Sequence, residues 1–130
     1  MHATLTAKVE SWDEKPFREL EDGRKLTRAS VKQTISGDLA GECSVEWLMA
    51  YRADGTADYV GYAFVEGLLT GRAGTFAVRT VGTFDGKEAS GSWDIVDGSA
   101  AGDLQGLSGS GTFTAPHGSE ASVELDYSLS

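Results

Sequence analysis

The sequence predicts an all-β fold, a single closed eight-stranded antiparallel barrel, on three observations. Segments rich in Val, Thr, Tyr, Phe and Trp recur with period-two alternation, the pattern of half-buried strands. Asp-Gly pairs at Asp22-Gly23, Asp54-Gly55, Asp85-Gly86 and Asp97-Gly98 separate them, and both residue types tolerate the positive φ of tight hairpins. Helix evidence is thin, because the best candidate, Asp13 to Leu20, contains Pro16 and is too short to bury an amphipathic face. A run of hairpin-linked strands has two exposed edges unless the sheet closes, and closure removes both.

The first strand is expected from Ala3 to Trp12, with Leu5, Ala7 and Val9 on one face. An acidic connection containing Pro16 and Phe17 leads to the second, Lys25 to Ser36, where Ala29, Val31 and Ile35 share a face. The third, Cys43 to Arg52, and the fourth, Ala57 to Leu69, meet across Ala53-Asp54-Gly55-Thr56 as a hairpin. Thr75 to Phe84, Ala89 to Val96, Gly111 to Ala115 and Ala121 to Leu129 complete the set. Gly-Thr-Phe recurs at Gly74, Gly82 and Gly111, with Gly-Ser-Trp at Gly91. Glycine weakens a strand, so its recurrence before aromatic residues marks either places where the sheet coils sharply or packs closely or simply the ends of strands.

The chain has 130 residues, room for one domain spanning 1–130, and at that size a conventional core needs no disulfide or structural metal. A formal charge of -9 makes nucleic acid and anionic membranes unfavourable partners. No apolar run approaches the ~18 residues that span a bilayer, and the polar start lacks a signal peptide's apolar block, so a cytoplasmic protein is expected. A lone Cys43 and the absence of Asn agree with a reducing compartment.

Strong chemical motifs are missing. Gly106 to Gly111 resembles a phosphate loop but lacks the closing Gly-Lys-Ser/Thr and runs into a strand, where no helix N-terminus can receive a phosphate. His2 and His117 read as surface and turn residues, and two distant histidines with scattered carboxylates have no ligand spacing, so neither metal nor cofactor is expected. Cys43 lies beside Glu42 and reads as a small buried hydrophobe, since a nucleophile needs a cationic neighbour.

Glu46 is the most informative carboxylate, because Cys43 to Tyr51 is otherwise almost wholly apolar. Alternation groups it with Leu48 and Ala50 and opposes it to Val45, Trp47, Met49 and Tyr51, and either face could point inward. If Glu46 is inside, desolvation poises it as a general acid or base unless a partner pairs it; outside, it is an ordinary strand carboxylate or ion pair. The inward placement puts Leu48, Ala63, Phe76, Thr80 and Trp93 in the lumen with it and sends Trp47 and Tyr51 out. The fourth strand is also apolar on both faces, with Val60, Tyr62, Phe64 and Leu68 opposite Tyr59, Ala63 and Val65. A wall greasy on both sides suggests that its outer face is covered, by another copy of the chain in a homo-oligomer or by the chain's own connections.

Lys25-Leu26-Thr27-Arg28-Ala29-Ser30-Val31, Ser36-Gly37-Asp38-Leu39-Ala40-Gly41-Glu42, Val45 to Tyr51 and the closing stretch from His117 to Tyr127 resemble an uncharacterised bacterial family. It is the domain-of-unknown-function family number 3224, classed within the allene oxide cyclase-like barrel superfamily. The resemblance covers nearly the whole chain and implies an eight-stranded antiparallel barrel. Relatives in that superfamily fold or cyclise apolar substrates inside the barrel with few catalytic side chains. In the family pattern the fourth strand usually reads Gly-Leu-Glu-Arg where this chain has Gly61-Tyr62-Ala63-Phe64, and the fifth carries a His where Thr80 stands, so that acid/base pair does not carry over. Glu46 does match the pattern.

Three readings follow. The first is a barrel that binds a small, mostly apolar molecule in its lumen without chemistry. The second is an isomerase or cyclase in which Glu46 carries the proton. The third is a filled barrel acting as an oligomeric interaction module through strands three and four. Binding ranks above catalysis because lumen polarity is sparse.

Overall fold

The computed structural model describes residues 1–116 and 120–129. The strands are β1 (His2–Glu19), β2 (Lys25–Gly37), β3 (Leu39–Tyr51), β4 (Ala57–Leu69), β5 (Arg72–Phe84), β6 (Glu88–Ile95), β7 (Ala101–Gly102), β8 (Leu107–Pro116) and β9 (Ala121–Leu129). Among the described residues the one helical element is a single 3-10 turn, Glu21–Gly23. Every pairing is antiparallel, and the ring runs β1-β2-β3-β4-β5-β6-β8-β9 and back to β1. The barrel therefore closes with eight strands, and two-residue β7 lies alongside the start of β5.

The Asp-Gly pairs sit in turns as the sequence indicates. Gly23, Gly55, Gly86 and Gly98 all have φ between 81° and 98°. In the β3–β4 hairpin the Asp54 carboxylate accepts hydrogen bonds from the Thr56 N–H at 3.0 Å and the Thr56 hydroxyl at 2.6 Å. Asp85 likewise accepts from the N–H groups of Lys87 and Glu88.

Several boundaries differ from expectation: β3 begins at Leu39 and not Cys43, β5 begins at Arg72 and not Thr75, and the short β7 is additional. β1 runs past Trp12 through Pro16 and Phe17, in the stretch expected to be a connection. β9 pairs only with His2 to Ala7, so the rest of β1 is an edge supported by β2, and proline is tolerated on an edge strand. A bulge at Glu10 breaks the register between Val9 and Ser11, which reverses the alternation and turns Trp12 and Glu14 toward the barrel axis. β8 begins at Leu107, so the apparent phosphate loop is mostly strand.

Inward aromatic residues face glycines on neighbouring strands. The register pairs Trp47 with Gly61, Tyr59 with Gly82, Phe113 with Gly91, Trp93 with Gly111 and Tyr127 with Gly109. A Cβ added at Gly61 would lie 2.6 Å from Trp47 Cδ1, and one at Gly82 would lie 2.8 Å from the Tyr59 ring. At these two positions the ring covers the backbone that the glycine leaves bare, and at Gly91 and Gly111 the backbone of the neighbouring strand makes the close approach. The strand glycines are thus places of close packing.

The core fills one end of the barrel. Leu5, Leu39, Val65, Leu69, Phe76 and Leu107 are buried there, and Leu104, from the segment between β7 and β8, plugs the floor. The opposite end is ringed by small side chains: Ala7 pairs with Ala121, and Ala89 pairs with Ala115 and Phe84. Small residues at one end and branched ones at the other leave a tube that is solid below and hollow above.

Candidate functional site

The hollow half is a cavity of about 770 Å3 open at the alanine-ringed end. Its wall is Val45, Trp47 and Met49 from β3, Tyr59 and Ala63 from β4, Thr80 and Phe84 from β5, Trp93 from β6, and Phe113 and Val123 from β8 and β9. The aromatic groups form a continuous band. Trp12 lies 5.6 Å from Trp47 between centroids, Trp47 lies 5.3 Å from Tyr59, and Tyr59 lies 6.4 Å from Phe113, each pair tilted. Thr80 and the Tyr59 hydroxyl put polar groups on the buried wall, and Thr80 stands between Gly61 and Trp93 in the cross-strand row. The indole N–H of Trp47 is buried without a hydrogen-bond partner among the described residues.

At the rim the edge half of β1 leans over the cavity. The Glu14 carboxylate accepts hydrogen bonds from Trp12 Nε1 at 2.9 Å, the Thr27 hydroxyl at 2.7 Å and the Tyr51 hydroxyl at 2.6 Å. Partial burial pushes the Glu14 carboxyl up, but these three donors and the charge of Lys25 together hold it below the usual carboxylate range. Burial, then the bond to Glu14, raises the Tyr51 hydroxyl. Lys25 Nζ lies over the Tyr51 ring, 4.8 Å from its centroid. Deeper in, burial pushes the Tyr59 hydroxyl up to about 12 and the Cys43 thiol up to about 12. Cys43 is buried and unbridged, as expected, and no cation near it favours thiolate.

The inward placement of Glu46 is corrected by the structure. Glu46 and Leu48 lie on the outer face of β3, while Val45, Trp47 and Met49 face the lumen. Glu46 accepts hydrogen bonds from Arg28 at 2.7 Å and from Ser30 at 2.9 Å, and the Ser30 and then the Arg28 contact lower its carboxyl from the ordinary value. It is an exposed ion pair with no access to the cavity, and Leu48 is likewise removed from the lumen set. β3 is apolar on both faces, so alternation alone could not say which points in; closure decides it, since Val45, Trp47 and Met49 share their face with the buried Val31, Ala29, Ala63 and Tyr59 of the neighbouring strands. Ala63, Thr80 and Trp93 do line the cavity. Phe76 points inward but belongs to the packed floor, meeting Trp93 edge-on at 6.2 Å.

Sequence reasoning missed Trp12, Glu14 and Tyr51 at the rim. The first two follow the bulge at Glu10, which single-strand alternation cannot foresee, and Tyr51 follows the parity of Trp47. His2 is exposed, as expected, and its ring contacts Asp126 at 2.9 Å and Glu124 at 2.6 Å across the β1–β9 seam. His117 lies outside the described residues. Among the described residues no group of three or more His, Cys, Asp or Glu is placed to hold a metal ion, and no helix is long and apolar enough to cross a membrane.

Comparison with known proteins agrees with this architecture. Residues 3–127 match a protein family described as a protein of unknown function (DUF3224). A crystal structure of a protein with unknown function from that family, from Shewanella oneidensis MR-1, superposes with a TM-score of 0.78 at 25% identity, covering 100% of this chain and 98% of that one. No curated protein matches the chain.

Proposed function

The chain belongs to the DUF3224 family, and from the hollow half of its barrel we propose that it binds one small, mostly apolar molecule in the lumen. The observation that carries this reading is the cavity of about 770 Å3, walled by Trp47, Tyr59, Phe84, Trp93 and Phe113 and polar only at a few groups such as the Thr80 and Tyr59 hydroxyls and the Trp47 indole N–H. Ligand pockets of drug-sized molecules occupy roughly 300–1,000 Å3 and share this mostly apolar wall with few polar groups. Lys8 and Glu120 are the charged residues of the cavity lining, and both are exposed, so a buried ionic group on the ligand would lack a counter-charge. The ligand is therefore uncharged over the part that enters.

Binding without chemistry is favoured over isomerisation by the same groups. Glu46 is outside, and the tyrosine and thiol groups of the interior are held far above neutral pH. A general acid or base works best with a pKa near the operating pH. The allene oxide cyclase-like kinship proposed from the sequence is supported by the strand count and the apolar lumen, and a superposition on such barrels tests it. A cytoplasmic setting, proposed with it, is supported by the buried free thiol of Cys43 and is checked by cell fractionation.

Titration with the neutral fluorophore N-phenyl-1-naphthylamine tests the lumen directly. Saturable one-to-one enhancement, with quenching of tryptophan emission, is expected for the wild type. Ala63→Phe, which projects a ring into the cavity, should abolish it while the far-ultraviolet spectrum stays unchanged. Absence of saturable binding, or binding indifferent to Ala63→Phe, removes the proposal.

A further inference from the structure

Two glycines bare the inner face of the barrel beside the buried threonine of the cavity wall. Thr80 pairs with Gly61 of β4, and Gly82 follows it two residues on along the same face of β5. Each glycine is roofed by a ring that carries a polar atom at its edge. Trp47 Cδ1, the carbon bonded to the indole nitrogen, would lie 2.6 Å from a Cβ at Gly61, and the Tyr59 hydroxyl oxygen would lie 2.8 Å from a Cβ at Gly82. The N–H edge of Trp47 from β3, the Tyr59 hydroxyl from β4 and the Thr80 hydroxyl from β5 therefore border one patch of the cavity wall.

The patch holds more donors than the protein uses. The Trp47 N–H is buried without a partner, and among the described residues neither the Thr80 nor the Tyr59 hydroxyl makes a hydrogen bond, although Thr27 and Tyr51 at the rim both reach Glu14. Thr80 is 2% exposed and Tyr59 6%. Polar groups buried in this state cost stability until something enters to pair them. An indole offers only a donor, and the Tyr59 hydroxyl, which burial keeps protonated far above neutral pH, is a donor as well. The carboxylates able to accept from a ligand lie elsewhere: Glu14 is committed at the rim, and Glu120 is exposed. A surplus of donors in an apolar wall is complemented by an uncharged acceptor.

We propose that the lumen ligand carries a carbonyl oxygen that accepts hydrogen bonds from the Thr80 and Tyr59 hydroxyls at this patch. The inference rests on the lumen reading and narrows its ligand to a neutral ketone, aldehyde or ester, whose oxygen has two lone pairs for the two donors. The test is displacement of N-phenyl-1-naphthylamine by 2-acetylnaphthalene and by 2-isopropenylnaphthalene, in which a methylene stands where the ketone has oxygen. Thr80→Val and Tyr59→Phe delete the hydroxyls at nearly constant volume. Each should weaken the ketone about five- to tenfold relative to the olefin, the worth of one buried hydrogen bond. A second measurement needs no variant: 2-acetylnaphthalene labelled with carbon-13 at the carbonyl should resonate, when bound to the wild type, downfield of its position in cyclohexane. The carbonyl proposal falls, and the lumen reading stands, if both variants shift ketone and olefin equally or the bound carbonyl resonates as it does in cyclohexane. The same holds if the ketone fails to displace a fluorophore that does bind. If neither the fluorophore nor either naphthalene binds, both readings fall together.

Discussion

Glu14 and Glu46 show how a single side chain's neighbours decide its role. Both lie on strands and both have lowered carboxyl pKa values, yet Glu14 ties Trp12, Thr27 and Tyr51 across the rim while Glu46 pairs with Arg28 and Ser30 on the outside. Glu14→Gln keeps one carbonyl acceptor and loses the charge, and it should cost about 1 kcal/mol in urea denaturation at neutral pH, the net worth of a hydrogen bond or two at a half-exposed site. Because the folded pKa of Glu14 is lowered, its contribution is present above the ordinary carboxylate range and is lost as pH falls through the folded value. His2 behaves in the opposite sense. Its hydrogen bonds to Asp126 and then Glu124 raise its pKa above 6.5, so its contribution is complete below that value and disappears as pH rises through the folded value. His2→Gln should flatten the urea midpoint between about pH 5 and pH 8, relative to wild type, without changing the fold.

At the scale of elements, the strands were readable because alternation and turn chemistry agree locally. The β3–β4 hairpin, β4 and β9 fall where Asp54-Gly55 and the apolar periodicity put them. Legibility ends where a strand's behaviour depends on another strand. β1 continues to Glu19 because β2 is there to pair with it, and its bulge at Glu10 re-aims Trp12 into the rim. The strand glycines have the same character, since the ring or backbone that fills the space beside each comes from a neighbouring strand. Gly61→Val would press against the Glu46 carbonyl and the Trp47 ring, and should destabilise the barrel by about 2–4 kcal/mol with loss of the Trp47 near-ultraviolet signal. Gly55→Ala meets open space but must adopt φ near +88°, so a smaller cost of about 1 kcal/mol is expected by the same urea titration.

On the scale of the whole molecule, closure through the β1–β9 and β4–β5 ladders creates an inside whose two halves differ: Leu104 and its neighbours fill one, and rings of alanine leave the other hollow. Leu104→Ala should therefore cost about 2–4 kcal/mol in urea, the toll of a cavity beneath an otherwise packed floor. A bound apolar molecule should stabilise the chain by about 2.7 kcal/mol at a hundredfold excess over its dissociation constant, read as a rise in Tm that Ala63→Phe removes. The sequence by itself determined the strand class, the spans of β4 and β9, the Asp-Gly turns and the closed barrel, because those follow from alternation and from residues that tolerate positive φ. Its grouping of Ala63, Thr80 and Trp93 in the lumen rested on an inward Glu46, a premise the fold reverses. Only the tertiary structure decided which side of β3 faces in, that Glu46 is outside, and that half the tube is empty. Alternation sorts a strand's residues into two faces without a sign, and where both faces are apolar the sign comes from the neighbours that closure brings alongside.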